Sequence, residues 1–254
     1  MTDTTHSAYT VSTLAQIPDL QPQIESLHDM AWPRYICEFM RKDAVINHYW
    51  TQLHQHFADY QILIYDSAKT LIALGHTIPV QWDRTLDGLP AGWEDVLKRG
   101  IDHRTQPANT LSALAAIVHP HYQKQGLSQV VIKSMRRIAT VHQFADLIAP
   151  VRPILKHQYP LIPMQNYVNW QQAELPFDPW MRVHAKLGAD ILCVAPASMV
   201  ISAPVAQWHD WTGLHFPGSG SYIIPGALQP LTINCEQDRG TYQEANVWMR
   251  HAVA

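Results

Sequence analysis

Hydrophobic residues change their spacing along the chain in a way that separates strands from helices. Leu111 to Val118 is almost continuously apolar or small, as expected of a strand covered on both faces. After a short polar turn, Leu127, Val130, Val131, Met135, Ile138 and Val141 recur at helical spacing, with Lys133, Arg136 and Arg137 largely on the opposite side. Asp146 to Ala149 resumes strand character until Pro150. Strand, helix and strand predict a parallel pair joined by a right-handed crossover.

Upstream, Ala8 to Thr13 alternates as a strand does, and Leu20 to Met30 reads as a helix that Trp32-Pro33 interrupts. A second helix is expected over Phe39 to Phe57. Gln61 to Tyr65 and Thr70 to Ile78 flank the polar turn Asp66-Ser67-Ala68-Lys69 and predict a hairpin. Asp87 to Gly92 is a loop, and Trp93 to Arg99 forms one or two helical turns closed by Gly100.

Downstream, Val151 to Pro179 shows no sustained period and is rich in Pro, Tyr, Trp and Gln, the mark of an irregular segment packed over something. Trp180 to Leu187 is a short helix ended by Gly188. Asp190 to Val194 and Met199 to Val205 read as two further strands, and Tyr222 to Pro225 with Leu231 to Ile233 as more sheet. No repeat or linker divides the chain, so residues 1–254 are taken as a single domain.

A length of 254 residues with 47% hydrophobic content supports a full core. The net charge of −3 gives no general attraction to nucleic acid or an anionic membrane, so an anionic ligand must be met locally. Met1 to Ser7 is polar with no signal-like run behind it, and no stretch reaches the length of a membrane span; a cytoplasmic protein is expected. The three cysteines, Cys37, Cys193 and Cys235, are far apart and read as free thiols. Among fifteen histidines, the pairs His54/His56 and His119/His121 lack partners at zinc-site spacing, so no metal is expected.

The polar turn carries the chemistry. A helix starting near Gly126 leaves its first N–H groups unpaired, with the positive end of the dipole behind them, and phosphate is their natural partner. In this setting Val118-His119-Pro120-His121-Tyr122-Gln123-Lys124-Gln125-Gly126-Leu127-Ser128 resembles the acyl-CoA-binding motif of the GNAT acyltransferase superfamily: Arg or Gln, two residues, Gly, one residue, then Gly or Ala. Gln123 and Gly126 match, and Ser128 departs from the last position. The resemblance implies an α/β (α+β) fold, with a mixed, mostly antiparallel central sheet and helices on both faces. The family-like core spans about residues 8–205, with a β-rich extension over about 206–254. It also implies that Val118, Gln123, Lys124, Gln125, Gly126, Leu127 and Ser128 hold the CoA of acetyl-CoA.

Family members often place a tyrosine four residues before a glycine in the helix after the fifth strand, where it protonates the departing thiolate. His184-Ala185-Lys186-Leu187-Gly188 fits that slot with histidine, which the resemblance makes the general acid; the competing reading is a core histidine satisfied by a backbone carbonyl. Arg182 and Asp178 either orient it or form an unrelated pair. A base for the acceptor amine is sought among His119, His121 and Glu244, and the aromatic segment from Arg152 to Trp180 is expected to wall the acceptor pocket.

The leading function is thus N-acetyl transfer from acetyl-CoA to a small amine, with no nucleic-acid or membrane partner and with a homodimer allowed. One alternative is a GNAT-like decarboxylase of malonyl-CoA or an S-acyltransferase to a carrier-protein thiol. Another is a non-catalytic acyl-CoA-binding module.

Overall fold

The architecture is built on one long strand that arrives last. The computed structural model describes residues 9–253. In chain order it contains β1 (Thr10–Thr13), α1 (Gln21–Ala31), α2 (Arg34–Lys42), α3 (Ala44–His56), β2 (Ile62–Tyr65), β3 (Leu71–Val80) and α4 (Trp93–Asp102). Then come β4 (Thr110–Val118), α5 (Leu127–Val141), β5 (Asp146–Val151), α6 (Met164–Tyr167), β6 (Gln171–Gln172), β7 (Leu175–Pro176) and α7 (Pro179–Lys186). The chain continues through β8 (Ala189–Ala203), α8 (Val205–Thr212), β9 (Gly220–Tyr222), β10 (Leu231–Asn234) and β11 (Arg239–Ala252). Nine strands form one sheet in the order β1-β2-β3-β4-β5-β11-β10-β9, with β8 on the other edge of β11. Every pairing is antiparallel except β4 with β5, so the mixed, mostly antiparallel α/β fold holds. The pair β6–β7 stands apart as a two-stranded ribbon.

Several expected boundaries move, each for a local reason. The helix expected over Phe39 to Phe57 is two, because the Asp43 carboxylate accepts the N–H groups of Val45 and Ile46 and caps a new helix. Gly100 does not close α4 but lies inside it, where a Cβ would stand 2.4 Å from Cδ1 of the buried Ile78. Gly100→Ala is therefore expected to lower stability by about 1 kcal/mol in a denaturant titration, overpacking outweighing alanine's better helix propensity. Pro150 does not end β5. It sits opposite Trp248, at a point where β5 has already lost β4 from its other edge and a missing N–H is tolerated.

The two strands expected over Asp190 to Val205 are one, β8; a bulge places Pro196, Ala197 and Ser198 opposite the single residue Ala245 and so absorbs the proline. Residues 206–254 are not an extension beside a finished core: β11 pairs with both β5 and β8. Of the strand expected over Ala8 to Thr13, Ala8 lies outside the described residues.

Helices cover both faces. On one, α2, α3, α4 and α8 bury Tyr35, Ile36, Leu53, Val96, Leu97 and Trp208 against β3, β8 and β11, and α1 adds Ile24 and Leu27 over β2 and β3. On the other, α5 sets Leu127, Val131, Met135 and Ala139 against the sheet, beside α6 and α7. No helix of the described residues is long and apolar enough to cross a membrane.

Candidate active site

The crossover β4-α5-β5 creates two linked features. First, α5 starts at Gly126, which is in the left-handed region at φ 81°, a conformation that favours glycine, and carries no side-chain cap. Among the described residues, no carbonyl accepts the amides of Lys124 through Ser128. Gln123, Lys124, Gln125 and Gly126 are exposed, Val118 and Ser128 half-buried, and Leu127 anchors the helix in the core. The run of free N–H groups at the start of a fifteen-residue helix is a geometry that can cradle an anion.

Second, β4 and β5 diverge. Their parallel pairing covers Thr110 to Ser112 against Asp146 to Ile148 and stops there, although β4 runs on to Val118 and β5 to Val151. The closed end is held at Asp146, whose buried carboxylate accepts from Arg84 Nε at 2.8 Å and Arg250 Nε at 2.7 Å. The open end lies directly below the cradle. Leu114 is the extra residue of a bulge where His76/Thr77 of β3 face Ala115/Ala113, and its carbonyl accepts Trp93 Nε1 at 2.8 Å.

Polar clusters flank the opening on the α1–α4 face. On the β3 side, His28 Nε2 lies 3.1 Å from His76 Nε2, and His76 Nδ1 lies 2.9 Å from the Gln61 amide oxygen. His54 stands beside them, its ring centroid 5.2 Å from that of His76. Burial and then the neighbouring His54 press His28 down to about 3. Burial alone takes His54 to about 4, and His76 also falls well below the ordinary value. Burial thus favours the neutral form of all three.

On the β11 side, Arg152 follows β5 and donates from Nε to both Glu244 oxygens at 3.0 Å and from its terminal nitrogen to Gly226 O. Glu244, 1% exposed, also accepts from Tyr242 Oη at 2.7 Å and Asn246 Nδ2 at 3.3 Å. Ser198 bridges the cluster to α4, donating to Asn246 Oδ1 and accepting the Trp93 amide. Among the described residues the buried Tyr35 hydroxyl makes no hydrogen bond of good geometry, although Arg152 and Tyr242 lie beside it, and burial raises the proton affinity of both Tyr35 and Tyr242. Because β4 and β5 are parallel, His76, opposite Ala115, and Arg152, one residue past β5, stand at about the same height on either side of the opening.

His184 is elsewhere. It is 3% exposed, edge-on to Trp180, with Nδ1 3.0 Å from His251 Nε2. His251 sits opposite Leu147, and Leu147 opposite Leu111, so the pair lies at the closed end of the wedge. Burial first, then His251, lowers His184 to about 3. Burial at this place disfavours the charged ring that the expected imidazolium acid requires.

Neither neighbour orients His184. Asp178 caps α7 and accepts from Leu155 N and Tyr167 Oη, while Arg182 donates to Pro176 O, Phe177 O and Gln172 Oε1. The aromatic segment does not wall the α1–α4 side either. Tyr159, Tyr167, Trp170 and Phe177 cluster on the α5–α7 face. His119 and His121 belong to the loop itself, His119 Nδ1 accepting the His121 amide.

The sequence is 33% identical, over 96% of this chain and 94% of the relative, to the arginine N-acetyltransferase avaD of Aspergillus versicolor. The chain belongs to the GNAT acyltransferase superfamily. No protein-family model matches it. Among solved structures, the loading GNATL domain of CurA from Lyngbya majuscula superposes over 97% of this chain and 98% of its own, at TM-score 0.64 and 16% identity. A GphF GNAT-like decarboxylase in complex with isobutyryl-CoA covers 98% and 100%, at TM-score 0.59 and 11% identity. These two share the GNAT fold.

In this GNAT acyltransferase the free amides lie at the turn from β4 into α5. The flanking clusters escape sequence reading apart from Glu244. His28, His54 and His76 come from α1, α3 and β3 and share no spacing. Arg152 did carry a signal: a charge immediately after a fully buried strand, at the carboxyl end where open sheets bind ligands.

Proposed function

We propose that this enzyme transfers an acetyl group from acetyl-CoA to the α-amino group of arginine or of a compound built on it. The observation that carries the reading is the run of unbonded amides from Lys124 to Ser128 set over the opening between β4 and β5. The amides take the CoA pyrophosphate. The unpaired strand edges below offer N–H and C=O groups to the pantetheine amides, in the manner of an added strand. The thioester then reaches the level of the Leu114 bulge, between the two polar clusters. The arginine acceptor follows the activity named for the Aspergillus relative.

In the reaction the amine nitrogen forms a bond to the acyl carbon, the C–S bond breaks, and the nitrogen loses a proton while the thiolate gains one. Burial keeps His28 and His54 in the neutral form, in which each ring has one N–H and one acceptor nitrogen and no imidazolium proton to give. Glu244 is occupied by Arg152, Tyr242 and Asn246 and positions the site. The amine therefore enters as its free base, and protons exchange with water. The α-amino group of a free amino acid is less acidic than a peptide N-terminus, so only a small fraction of it is free base at pH 7. Accordingly kcat/KM is expected to rise with pH and to level off only well above about pH 8, once the free amine predominates. An imidazolium acid at His184 would give the opposite limb, activity falling as pH rises past about 6.5, and such a profile would restore that role.

Incubation with acetyl-CoA and arginine, agmatine or lysine, read by thiol release and product mass, tests the function. Acetylated arginine supports it. Release of acetyl-CoA from malonyl-CoA, with no amine acetylated, would make the enzyme a decarboxylase instead.

A further inference from the structure

On the α1–α4 face lies a groove of about 870 Å³ between α1, α2 and α3 that donor binding does not use. The exposed carboxylates of Asp19 and Glu25 line it, with the indoles of Trp32 and Trp50 and the imidazoles of His28 and His54. Its one cation, Arg41, is held by Asp29 and Glu38. Among the described residues no ion pair engages Asp19 or Glu25. Among the described residues His54 Nε2 is buried without a partner, a cost that a bound N–H donor would remove.

Carboxylates, indole faces and unprotonated imidazoles together suit a flat, donor-rich cation, and little else. A guanidinium stacks on indole while its edge N–H groups reach oxygen or nitrogen acceptors. The groove also adjoins the reaction centre. His28 stacks on Trp32 at 4.4 Å and bonds His76, which faces Ala115 of β4. Trp50 lies 5.7 Å from Trp93, the residue that bonds the Leu114 carbonyl.

We propose that this groove binds the acceptor's guanidinium, stacked on Trp32 or Trp50, with N–H groups directed to His54 Nε2 and to the Asp19 and Glu25 carboxylates. The inference rests on the arginine acceptor proposed above and adds where, and by which end, that acceptor is held. Arginine thus enters guanidinium first from the α1–α3 side, while acetyl-CoA enters from the α5 end.

The test is calorimetric titration of the full chain with L-arginine, L-lysine and L-norleucine, alongside acetyl-CoA. Arginine is expected to bind at least about tenfold more tightly than lysine, and norleucine not at all. Glu25→Gln should weaken arginine about fivefold, the size of an exposed charge pair, and Glu25→Lys more than tenfold. His54→Phe should weaken it about tenfold by deleting the acceptor nitrogen. The two Glu25 variants should leave acetyl-CoA affinity unchanged.

Arginine affinity indifferent to both Glu25→Lys and Asp19→Lys, exposed changes that the fold tolerates, would overturn the assignment. So would wild-type enzyme that binds acetyl-CoA and acetylates an uncharged amine without binding arginine; acyl transfer would then stand and the groove fall. Arginine bound with the expected sensitivity to Glu25 and His54, by a protein that fails to bind acetyl-CoA, would support the groove and overturn acetyl transfer.

Discussion

Glu244→Gln is expected to destabilise the enzyme by about 3 kcal/mol. The carboxylate is 1% exposed and receives Arg152, Tyr242 and Asn246 at once. Glutamine keeps the shape but leaves the guanidinium without a countercharge, and breaking a buried pair from one side costs roughly 3–5 kcal/mol. The lower end applies because the Arg152 side chain is 28% exposed and water screens it partly. In a chain of this size that is a fall in Tm of about 6–12 °C by calorimetry. Tyr242→Phe, which removes one donor and no charge, should cost about 1 kcal/mol. A Glu244→Gln protein that melts within about a degree of wild type would show that the pair contributes nothing to holding β5 to β11.

The second large effect falls on the cradle. Gly126→Asp is expected to raise the acetyl-CoA Kd more than a hundredfold while the fold survives. Nothing lies within 4 Å of a Cβ built at Gly126, so the side chain meets open space, which is where the pyrophosphate would sit. A carboxylate there opposes the phosphates and competes for the same amides at the helix N-terminus. Gly126→Ala separates strain from charge. Alanine at φ 81° costs about 1 kcal/mol of stability and should raise the Kd about tenfold. Isothermal titration with acetyl-CoA reads both, and an aspartate variant that binds as wild type does would place the pyrophosphate elsewhere.

How much of this was legible in the sequence depended on whether the signal was local. The turn from β4 into α5 could be read because strand, glycine and amphipathic helix are consecutive, and each forms for reasons contained within its own residues. The hairpin of β2 and β3 could be read for the same reason: Asp66 accepts the amides of Ala68 and Thr70 inside its own turn. For His184 the motif position fixes a helix face and not an environment. What disfavours its charged form is burial beside His251, sixty-seven residues away. The histidine cluster and the Arg152–Glu244 pair are likewise products of packing, joining α1, α3 and β3 on one side and β5 with β11 on the other. Pro196 suggested a break between two strands, where only the partner strand reveals that a bulge can contain it.

The late position of β11 has a consequence for how the protein comes into being on the ribosome. β5 and β8 both present open edges until residues 239–252 emerge and slide between them. Until then the sheet ends at β5, β8 is unpaired and β9 and β10 are joined only to each other, margins prone to pairing with other chains. The half carrying the cradle is assembled first, and Glu244 arrives on the closing strand. Residues 239–252, which bring Glu244 and close the sheet, are the last part of the fold to form, and a transcript cut short by a few dozen codons would yield an aggregation-prone fragment, not a weakened enzyme.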